Sequence, residues 1–441
     1  MAARRNRDVV QSVVQHNRGR DPALLARKYT AMAMNPFVFL RGAAHRYYET
    51  LDARALPHGA PLAWICGDLH LENFGSFRGD NRLTYFDLND FDEAALAPCT
   101  YDLLRLVTSI HVGAHSLEMS AQEGDRLCRV FLAGVTGELR AGKARWVERE
   151  VADGMVARLL GNVTDRNRRE LLDRRAPLVG KHRKLLIDGV RYLAPTPEQE
   201  KMVLRMIAQS CVNHPHPERF KVLSIARRVA GTGSLGLPRF VVLTEGKGSP
   251  NRNLILDLKA ARPSCVPPVR GVAHRWASDA DRVVSVQRQL QAIAPAFLSA
   301  QRAGGDSFVI KELQPQMDKL NLAECHGRHE LLSPTVATMG ELTAWSMLRA
   351  SGWRGSGDLD ALVAFGERRD WQPQLLRLST GLAKDTVEEW RTFRDAWKAG
   401  KVDLGASERP VAAAARQRRT VRPARKRPTA LRQRKVRARR Q

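Results

Sequence analysis

Residues 67–92 constrain this chain more than any other stretch, and they read GDLHLENFGSFRGDNRLTYFDLNDFD. Asp68, His70 and Asn73 follow a short apolar run at residues 63–66. A turn-rich segment then leads to a strand-like LTYF and a cluster of acids. The pattern predicts a strand that delivers Asp68 to a loop, followed by a hairpin that turns at residues 78–81.

These residue types, in this order, are the ones that phosphoryl transfer to a hydroxyl requires. One carboxylate accepts the proton of the attacking hydroxyl, while an amide oxygen and a second carboxylate hold the Mg²⁺ that bridges the nucleotide phosphates. We predict that Asp68 is the catalytic base and that Asn73 is a metal ligand. Asp87 and Asp90 both remain candidates for the second ligand; Asp87 suits a short hairpin, and Asp90, slightly favoured, opens an Asp-Phe pair.

Two families resemble the chain at these residues. GDLHLEN resembles the catalytic loop of aminoglycoside phosphotransferases, and APCTYDLLRL resembles the helix start that braces that loop behind their metal-binding aspartate. NPFVFLRGAAHRYY, ICGDLHLENFG, FDLNDFDEA, YDLLRLVTS and RRVAGTGSLG are similar to a bacterial family filed as domain of unknown function 2252, over most of residues 20–350. The resemblance implies a kinase-like core without a known substrate. Within the site we interpret His70, together with Arg41, as orienting the catalytic loop.

A glycine-rich segment further along predicts a nucleotide site. Gly231, Gly233 and Gly236 have G-x-G-x-x-G spacing, and a β-rich run follows them. A dinucleotide-binding loop would be followed by a helix. A glycine turn between two strands is the kinase arrangement, in which backbone amides cover the ATP phosphates, although an ordinary glycine-rich hairpin has the same pattern. In a third strand, LILDLKAA, the leucines alternate onto one face and leave Lys259 on the other, where a kinase places its phosphate-pairing lysine.

The order of these parts is reversed relative to ordinary kinases. Asp68 precedes Gly231 by about 160 residues. If both assignments hold, the fold is a circularly permuted kinase, which is physically tolerable when the original termini are close together. The Lys259 amine and the Asp90 carboxylate should then lie on the order of 4–10 Å apart. The helix predicted at 277–294 has no clear glutamate to pair with Lys259 and offers Gln287 instead.

Composition limits the class of protein. A chain of 441 residues with 43% hydrophobic residues is long enough for one large core or two moderate ones. No apolar run approaches the ~20 residues that span a bilayer, and the basic N-terminus has no following apolar core, so no secretory signal is expected. The six cysteines are scattered without a CxxC pair, which predicts reduced thiols and a cytoplasmic location.

The positive charge is unevenly distributed. The formal net charge is +26, and residues 416–441 contain thirteen Arg or Lys and no acid. Such a segment cannot bury enough apolar surface to offset its ordering entropy, so we predict that it is disordered. Two interpretations stay open: non-specific contact with nucleic acid or another polyanion, or a solubilising extension.

We therefore predict an α+β protein with a two-lobed protein-kinase-like fold, circularly permuted if both assignments hold, and a disordered basic C-terminal tail. The predicted regions are a catalytic-loop region at 20–215, a glycine-loop region at 216–315, a helical region at 316–405 and the tail at 406–441. Helical spacing also predicts helices at 8–32, with a basic face, at 102–142 and at 145–178, and Pro36 suits a helix start. The expected activity is ATP- and Mg²⁺-dependent phosphoryl transfer to an unknown acceptor. The alternatives are a nucleotide-binding pseudokinase scaffold and a nucleic-acid-associated protein that works through its tail.

Overall fold

A computed structural model of the chain describes residues 8–272, 274–325 and 329–404. The chain divides into two compact units, 1–405 and 406–441. The predicted basic tail falls in the second unit and lies outside the described residues. The regional boundaries predicted within the first unit, at 215/216 and 315/316, stay predictions.

The first unit mixes α-helices with antiparallel sheets. Its α-helices are α1 Val9–His16, α2 Pro22–Met34, α3 Pro36–Gly42, α4 Ala44–Thr50, α5 Thr100–Ala114, α6 Ala121–Ala141, α7 Gly154–Thr164, α8 Arg168–Arg175, α9 Pro197–Ser210, α10 Asp279–Leu290, α11 Leu332–Arg349, α12 Leu359–Glu367 and α13 Trp371–Lys398. Its strands are β1 Leu62–Ile65, β2 Phe74–Arg78, β3 Thr84–Leu88, β4 Ala95–Pro98, β5 Leu178–Val179, β6 His182–Arg183, β7 Tyr192–Leu193, β8 Val222–Arg228, β9 Arg239–Thr244, β10 Leu254–Ala261, β11 Ser299–Ala303, β12 Asp306–Glu312 and β13 Asp318–Lys319. This architecture confirms the α+β part of the predicted fold class.

The N-terminal helices begin where their sequence signals lie. The side chain of Asp21 accepts hydrogen bonds from two amides of the first turn of α2, and Pro22 occupies its first position, where a missing N–H costs nothing. Asn35 caps α3 in the same way, ahead of Pro36. Between α1 and α2 the chain turns at Gly19, whose φ of 78° is left-handed. The predicted helical stretch at 8–32 is therefore two helices.

The catalytic-loop region is built on short strand pairs and a buried helix. β1 pairs with β4, and β2 pairs with β3 in the predicted hairpin. All residues of α5 except His111 are buried. The prediction of a continuous helix at 102–142 is wrong in its middle. The chain leaves α5 at Ala114, and α6 begins anew with a capping box formed by Ser120 and Glu123.

Six strands form the main sheet, in the order β11-β12-β10-β9-β8-β7 and antiparallel throughout. Apolar side chains of α9 pack on one face together with Leu256 and Leu258 of β10. Because side chains alternate along a strand, Asp257 and Lys259 point to the opposite face. The three strands predicted around the glycine turn and the leucine-rich run are confirmed.

No helix in the described part of the chain is long and apolar enough to cross a membrane.

Candidate active site

A cleft of about 600 Å³ brings together residues that are far apart in the sequence. From the catalytic-loop region its lining includes Asp68, His70, Asn73 and Asp90. From the main sheet and its glycine turn the lining includes Gly231, Gly233 and Lys259. Two other predicted site residues, Asp87 and Gly236, are not part of this lining. The two sequence segments singled out above therefore share one cleft.

The loop that carries Asp68 is held from behind by α5. The amides of Cys66 and Gly67 donate hydrogen bonds of 2.7 and 3.0 Å to the Asp102 carboxylate. Gly67 has a φ of +80°, and a Cβ there would lie 2.1 Å from the Glu93 carbonyl oxygen, so only glycine fits. The geometry fixes the direction in which the chain leaves β1 and enters the cleft.

Asp68 itself is paired with an arginine from the same helix. Nε and Nη2 of Arg105 donate to the Asp68 carboxylate at 3.0 and 2.5 Å. Loss of water in the cleft raises the pKa of Asp68 to about 7, although Arg105 opposes the rise. Burial likewise raises the pKa of Asp102 to about 7. Asp68 therefore titrates close to neutral pH, where a carboxylate is most effective as a general base.

Asn73 connects the Asp68 loop to the acid cluster. Its Oδ1 accepts a 2.7 Å hydrogen bond from the Asp90 amide. Its Nδ2 donates to the backbone carbonyls of Asp68 and Asp90, at 3.2 and 3.3 Å. The side chain thus holds the two predicted catalytic segments in a fixed relation.

The Asp90 carboxylate faces Lys259. Their charged atoms are 3.6 Å apart, slightly closer than expected, and about half of the Asp90 side chain (49%) stays accessible. Lys259 also forms a salt bridge with Asp92. Desolvation alone would raise the pKa of Asp90, but Lys259 and then Lys319 lower it to about 2. Asp90 is therefore ionised at neutral pH.

The partner of Lys259 comes from an unexpected element. Gln287 of α10 is buried in the cleft lining, and its amide donates to Gln291 at 3.1 Å. The acids that pair with Lys259 instead belong to the segment after β3, and Asp92 was not among the predicted site residues. Its place in the acid run was the one available signal, since sequence does not show which carboxylate reaches across a cleft.

The glycine turn is fixed on its carbonyl side by the N-terminal helices. The Gly233 carbonyl accepts hydrogen bonds from Arg20 at 2.6 Å and Lys28 at 2.9 Å. Arg20 also donates to the Leu235 carbonyl, at 2.9 Å. The Gly236 carbonyl, just outside the cleft lining, accepts from the Asp21 amide at 3.0 Å. Sequence reasoning missed these contacts, because nothing in the N-terminal pattern shows where its basic face packs.

His70 and Arg41 both contact the loop that follows Asp68. The His70 ring is buried, and its Nδ1 accepts a 3.1 Å hydrogen bond from the Glu72 amide. Burial, with Arg41 and Arg105 nearby, holds the pKa of His70 well below its usual value, so the ring is neutral. Arg41 forms a salt bridge with Glu72 in the same loop.

Asp87 lies behind the cleft. It is 1% exposed, and its carboxylate accepts hydrogen bonds from the amides of Leu88 at 2.8 Å and Ala292 at 3.1 Å. The Arg349 guanidinium lies 3.8 Å away. Of the two alternatives for the second metal ligand, Asp90 is the one that shares the cleft with Asp68.

Within the described residues, no group of three or more His, Cys, Asp or Glu side chains is arranged to hold a metal ion. All five cysteines for which the structure describes a state are free thiols: Cys66, Cys99, Cys128, Cys211 and Cys265.

The fold and the cleft define a mixed α and β protein with charge-paired acids and a lysine at its centre. The chain belongs to the family described as an uncharacterized protein conserved in bacteria, DUF2252, whose match covers residues 20–396. The match confirms the family resemblance and extends it beyond residue 350. No curated protein matches the chain, and no solved structure matches it.

Proposed function

We propose that this protein transfers the γ-phosphoryl group of ATP to a hydroxyl acceptor and that its fold is a circularly permuted kinase. One observation carries the proposal: the glycine turn and Lys259 line the same cleft as Asp68, Asn73 and Asp90. Phosphoryl transfer depends almost entirely on positioning and charge, and this cleft supplies both from two remote parts of the chain.

Asp68 is the proton acceptor in this proposal. The acceptor O–H gives its proton to the Asp68 carboxylate while its oxygen forms a bond to the γ-phosphorus. The bond between that phosphorus and the bridging oxygen breaks, and ADP leaves with the electron pair. Arg105 holds the carboxylate in place through its two hydrogen bonds.

The nucleotide is bound by the main sheet. Backbone amides of the glycine turn face the phosphates, since its carbonyls are already taken by the N-terminal helices. Lys259 and Lys311 line the cleft below the turn and supply positive charge. Val309 and Leu313 give the cleft an apolar side suited to a base.

The donor atoms around Asp90 fit a magnesium ion. Mg²⁺ prefers oxygen and is usually bound through one or two carboxylates together with substrate phosphates. Asp90 would hold the ion, with the amide oxygen of Asn73 beside it, and the ion would neutralise charge on the phosphates when bound. Lys259 currently pairs with Asp90 and Asp92, so the lysine must turn towards the phosphates as the ion binds.

Isothermal titration with ATP, with and without Mg²⁺, tests the proposal. We expect the full chain to bind ATP more tightly with Mg²⁺, and Asp90→Asn to reduce that difference. Lys259→Met should weaken ATP binding in both conditions. Asp80→Asn, at the exposed hairpin tip, is the matched control and should leave binding unchanged. A wild-type chain that binds no ATP in either condition would refute the nucleotide site.

A nucleotide-binding scaffold is the second candidate, favoured by one observation. Gln287 pairs with Gln291 and leaves Lys259 without a partner from α10. In an active kinase a helix glutamate pairs with the lysine. ATP binding without turnover on any hydroxyl acceptor, or of ATP itself, would favour this alternative.

A further inference from the structure

A second cavity, of about 2100 Å³, adjoins the cleft. The two share five residues in their linings and therefore lie side by side: His16, Arg20, Leu237, Arg262 and Pro263. Tyr48 lines the second cavity and donates its hydroxyl hydrogen to the carbonyl of Gly67. The wall of this cavity therefore backs directly onto the loop that carries Asp68.

Positive charge dominates the lining of this cavity. Six arginines face three acids there. Two of the acids are engaged already: Glu49 pairs with Arg46 at 2.6 Å, and Asp52 pairs with Arg54 at 3.2 Å. Two of the arginines are paired, Arg54 with Asp52 and Arg262 with Asp306, whereas the other four form no salt bridge with any described carboxylate: Arg18, Arg20, Arg270 and Arg377. A concave surface with an excess of one sign of charge attracts ligands of the opposite sign.

An unpaired histidine also faces this cavity. His45 is 5% exposed, and neither ring nitrogen has a hydrogen-bond partner among the described residues. Its ring stacks on that of the exposed His16, with centroids 3.9 Å apart and planes inclined by 5°. Buried polar atoms are nearly always hydrogen-bonded, so the bare nitrogens of His45 mark a place for a polar ligand group or water.

The protonation state of His45 limits which polar ligand groups can bind its ring nitrogens. Burial, followed by the nearby charges of His16 and Lys28, holds the pKa of His45 well below its usual value. A neutral imidazole carries one donor and one acceptor. Hydroxyl groups can satisfy both nitrogens, one accepting from the N–H and another donating to the second nitrogen, whereas a carboxylate or ionised phosphate could only accept from the N–H.

We propose that this cavity is the acceptor site and that it holds a hydroxyl-rich anion larger than one sugar, namely an acidic oligosaccharide. The proposal rests on the phosphotransferase function proposed above. The volume exceeds the roughly 300–1,000 Å³ of pockets for small ligands, the arginines match acidic groups, and His45 matches a hydroxyl. The same positive lining disfavours polycationic aminoglycosides.

Histidine NMR on the full chain, without nucleotide, tests this site directly. The probes are tetragalacturonate, the neutral maltotetraose and the polycation kanamycin, each at millimolar concentration. His16→Gln and His45→Gln assign the two ring signals. The basic tail adds no signal of its own, because residues 406–441 contain no histidine. We expect tetragalacturonate to shift both signals and the other two probes to shift them much less.

Charge variants show whether the arginines carry the effect. Arg270→Gln and Arg377→Gln should each weaken tetragalacturonate binding by about two- to fivefold, the usual weight of an exposed charge. Arg391→Gln, further along α13 and outside the cavity lining, is the matched control. Melting temperatures of all three variants, equal to that of the wild type, confirm that the fold is intact.

Each contrary result overturns a stated part of the proposal. No shift of either signal with tetragalacturonate removes the site. Equal shifts with maltotetraose remove the preference for an anion, and stronger shifts with kanamycin reverse it. Shifts with tetragalacturonate in a chain that fails the ATP titration would overturn the acceptor role and the phosphotransferase together, while the cavity would stand as a carbohydrate-binding site.

Discussion

The position of Asp68 is fixed by an ion pair to its carboxylate and by hydrogen bonds to the backbone that precedes it. Arg105 binds its carboxylate, and Asp102 binds the amides of the two residues before it. Both acids lie within a single loop-and-helix contact, yet only Asp68 points into the cleft. The proposed function therefore gives the chemical role to Asp68 and a positioning role to Asp102.

Replacing Asp68 with asparagine tests the chemical role. Asp68→Asn keeps the size of the side chain but cannot accept a proton, so turnover should fall ~10²–10⁴-fold. ATP affinity and melting temperature should stay close to wild type, because asparagine still accepts a hydrogen bond from Arg105. The measurements are steady-state kinetics, isothermal titration and thermal unfolding, with Asp80→Asn as control. Unchanged turnover would remove Asp68 from the mechanism.

The pH dependence of kcat/KM should report Asp68 in the free enzyme. Desolvation raises its pKa to about 7, and the base must be ionised to act. Activity should therefore rise with pH and level off above about 7. Arg105→Gln removes the opposing positive charge and should move this rise to higher pH. A profile that is flat between pH 5 and 8 would contradict the assignment.

At the residue scale, the sequence predicted which side chains line the cleft better than it predicted the residues that pair with them. Asp68, Asn73 and Asp90 stand in a short local pattern whose spacing suits the proposed phosphoryl transfer, and all three line the cleft. Arg105 was missed, although it lies one helical turn after Asp102 in a buried helix, which was the available signal. Asp92 was seen as part of the acid run but not as the partner of Lys259. Such partners depend on tertiary contacts that no short window contains.

The N-terminal segment and the glycine turn are joined by buried polar contacts. Lys28 is 1% exposed and donates to the Asn17 side chain at 2.8 Å as well as to the Gly233 carbonyl. Asp21 binds Arg227, at the end of β8, at 2.6 Å. These contacts fix the turn from outside the sheet.

Lys28→Met should weaken the attachment of the glycine turn to the N-terminal helices. Methionine fills the space but removes both hydrogen bonds; the Asn17 side-chain oxygen is left unpaired, while the Gly233 carbonyl keeps only Arg20, so the free energy of unfolding should fall by about 1–3 kcal/mol. ATP affinity should also fall, since the amides of the turn lose their fixed direction. Arg27→Gln changes the neighbouring exposed residue on the same helix and is the control. Urea unfolding and nucleotide titration measure the two effects; wild-type values for both would show that the turn is positioned by β8 and β9 alone.

Element boundaries were predicted well where end signals are local. Pro36, the hairpin at residues 74–88 and the leucine-rich β10 all lie where expected. The helix expected at 145–178 is reduced to α7 and α8, because its many Arg and Glu residues fit a solvated helix as well as a loop. Helical propensity alone does not decide between the two.

At the scale of the molecule, the reversed order of the parts is the main prediction that the cleft supports. The sequence patterns around Asp68 and Gly231 are separate, and neither indicates how far apart the two segments lie in the folded chain. Only folding brings the two regions together, and hydrophobic periodicity does not encode which face of a sheet meets which loop. The shared cleft was therefore a conditional prediction, whereas the α+β class followed from the patterns themselves.

The basic tail lies outside the described residues, and its behaviour stays a prediction from sequence. Removing residues 406–441 should leave the melting temperature nearly unchanged, because the tail offers few apolar side chains to a core. It should flatten the salt dependence of DNA binding, since each neutralised phosphate contributes about 0.7–0.9 to the logarithmic slope. Melting curves and a salt series on both forms measure these effects. A large drop in melting temperature would show that the tail packs on the folded unit.

In the ligand-free cleft, Lys259 neutralises the charges of Asp90 and Asp92, so these side chains occupy the positions of the phosphate and Mg²⁺ that the proposed function requires. Phosphate cannot take the lysine without leaving two carboxylates uncompensated, and Mg²⁺ cannot take the carboxylates without displacing the lysine. Each ligand therefore prepares the position of the other, and thermodynamic linkage requires the benefit to be mutual. Under the proposed function, such a site would respond in a cell to the concentration of the magnesium–nucleotide complex and much less to free nucleotide or free ion alone.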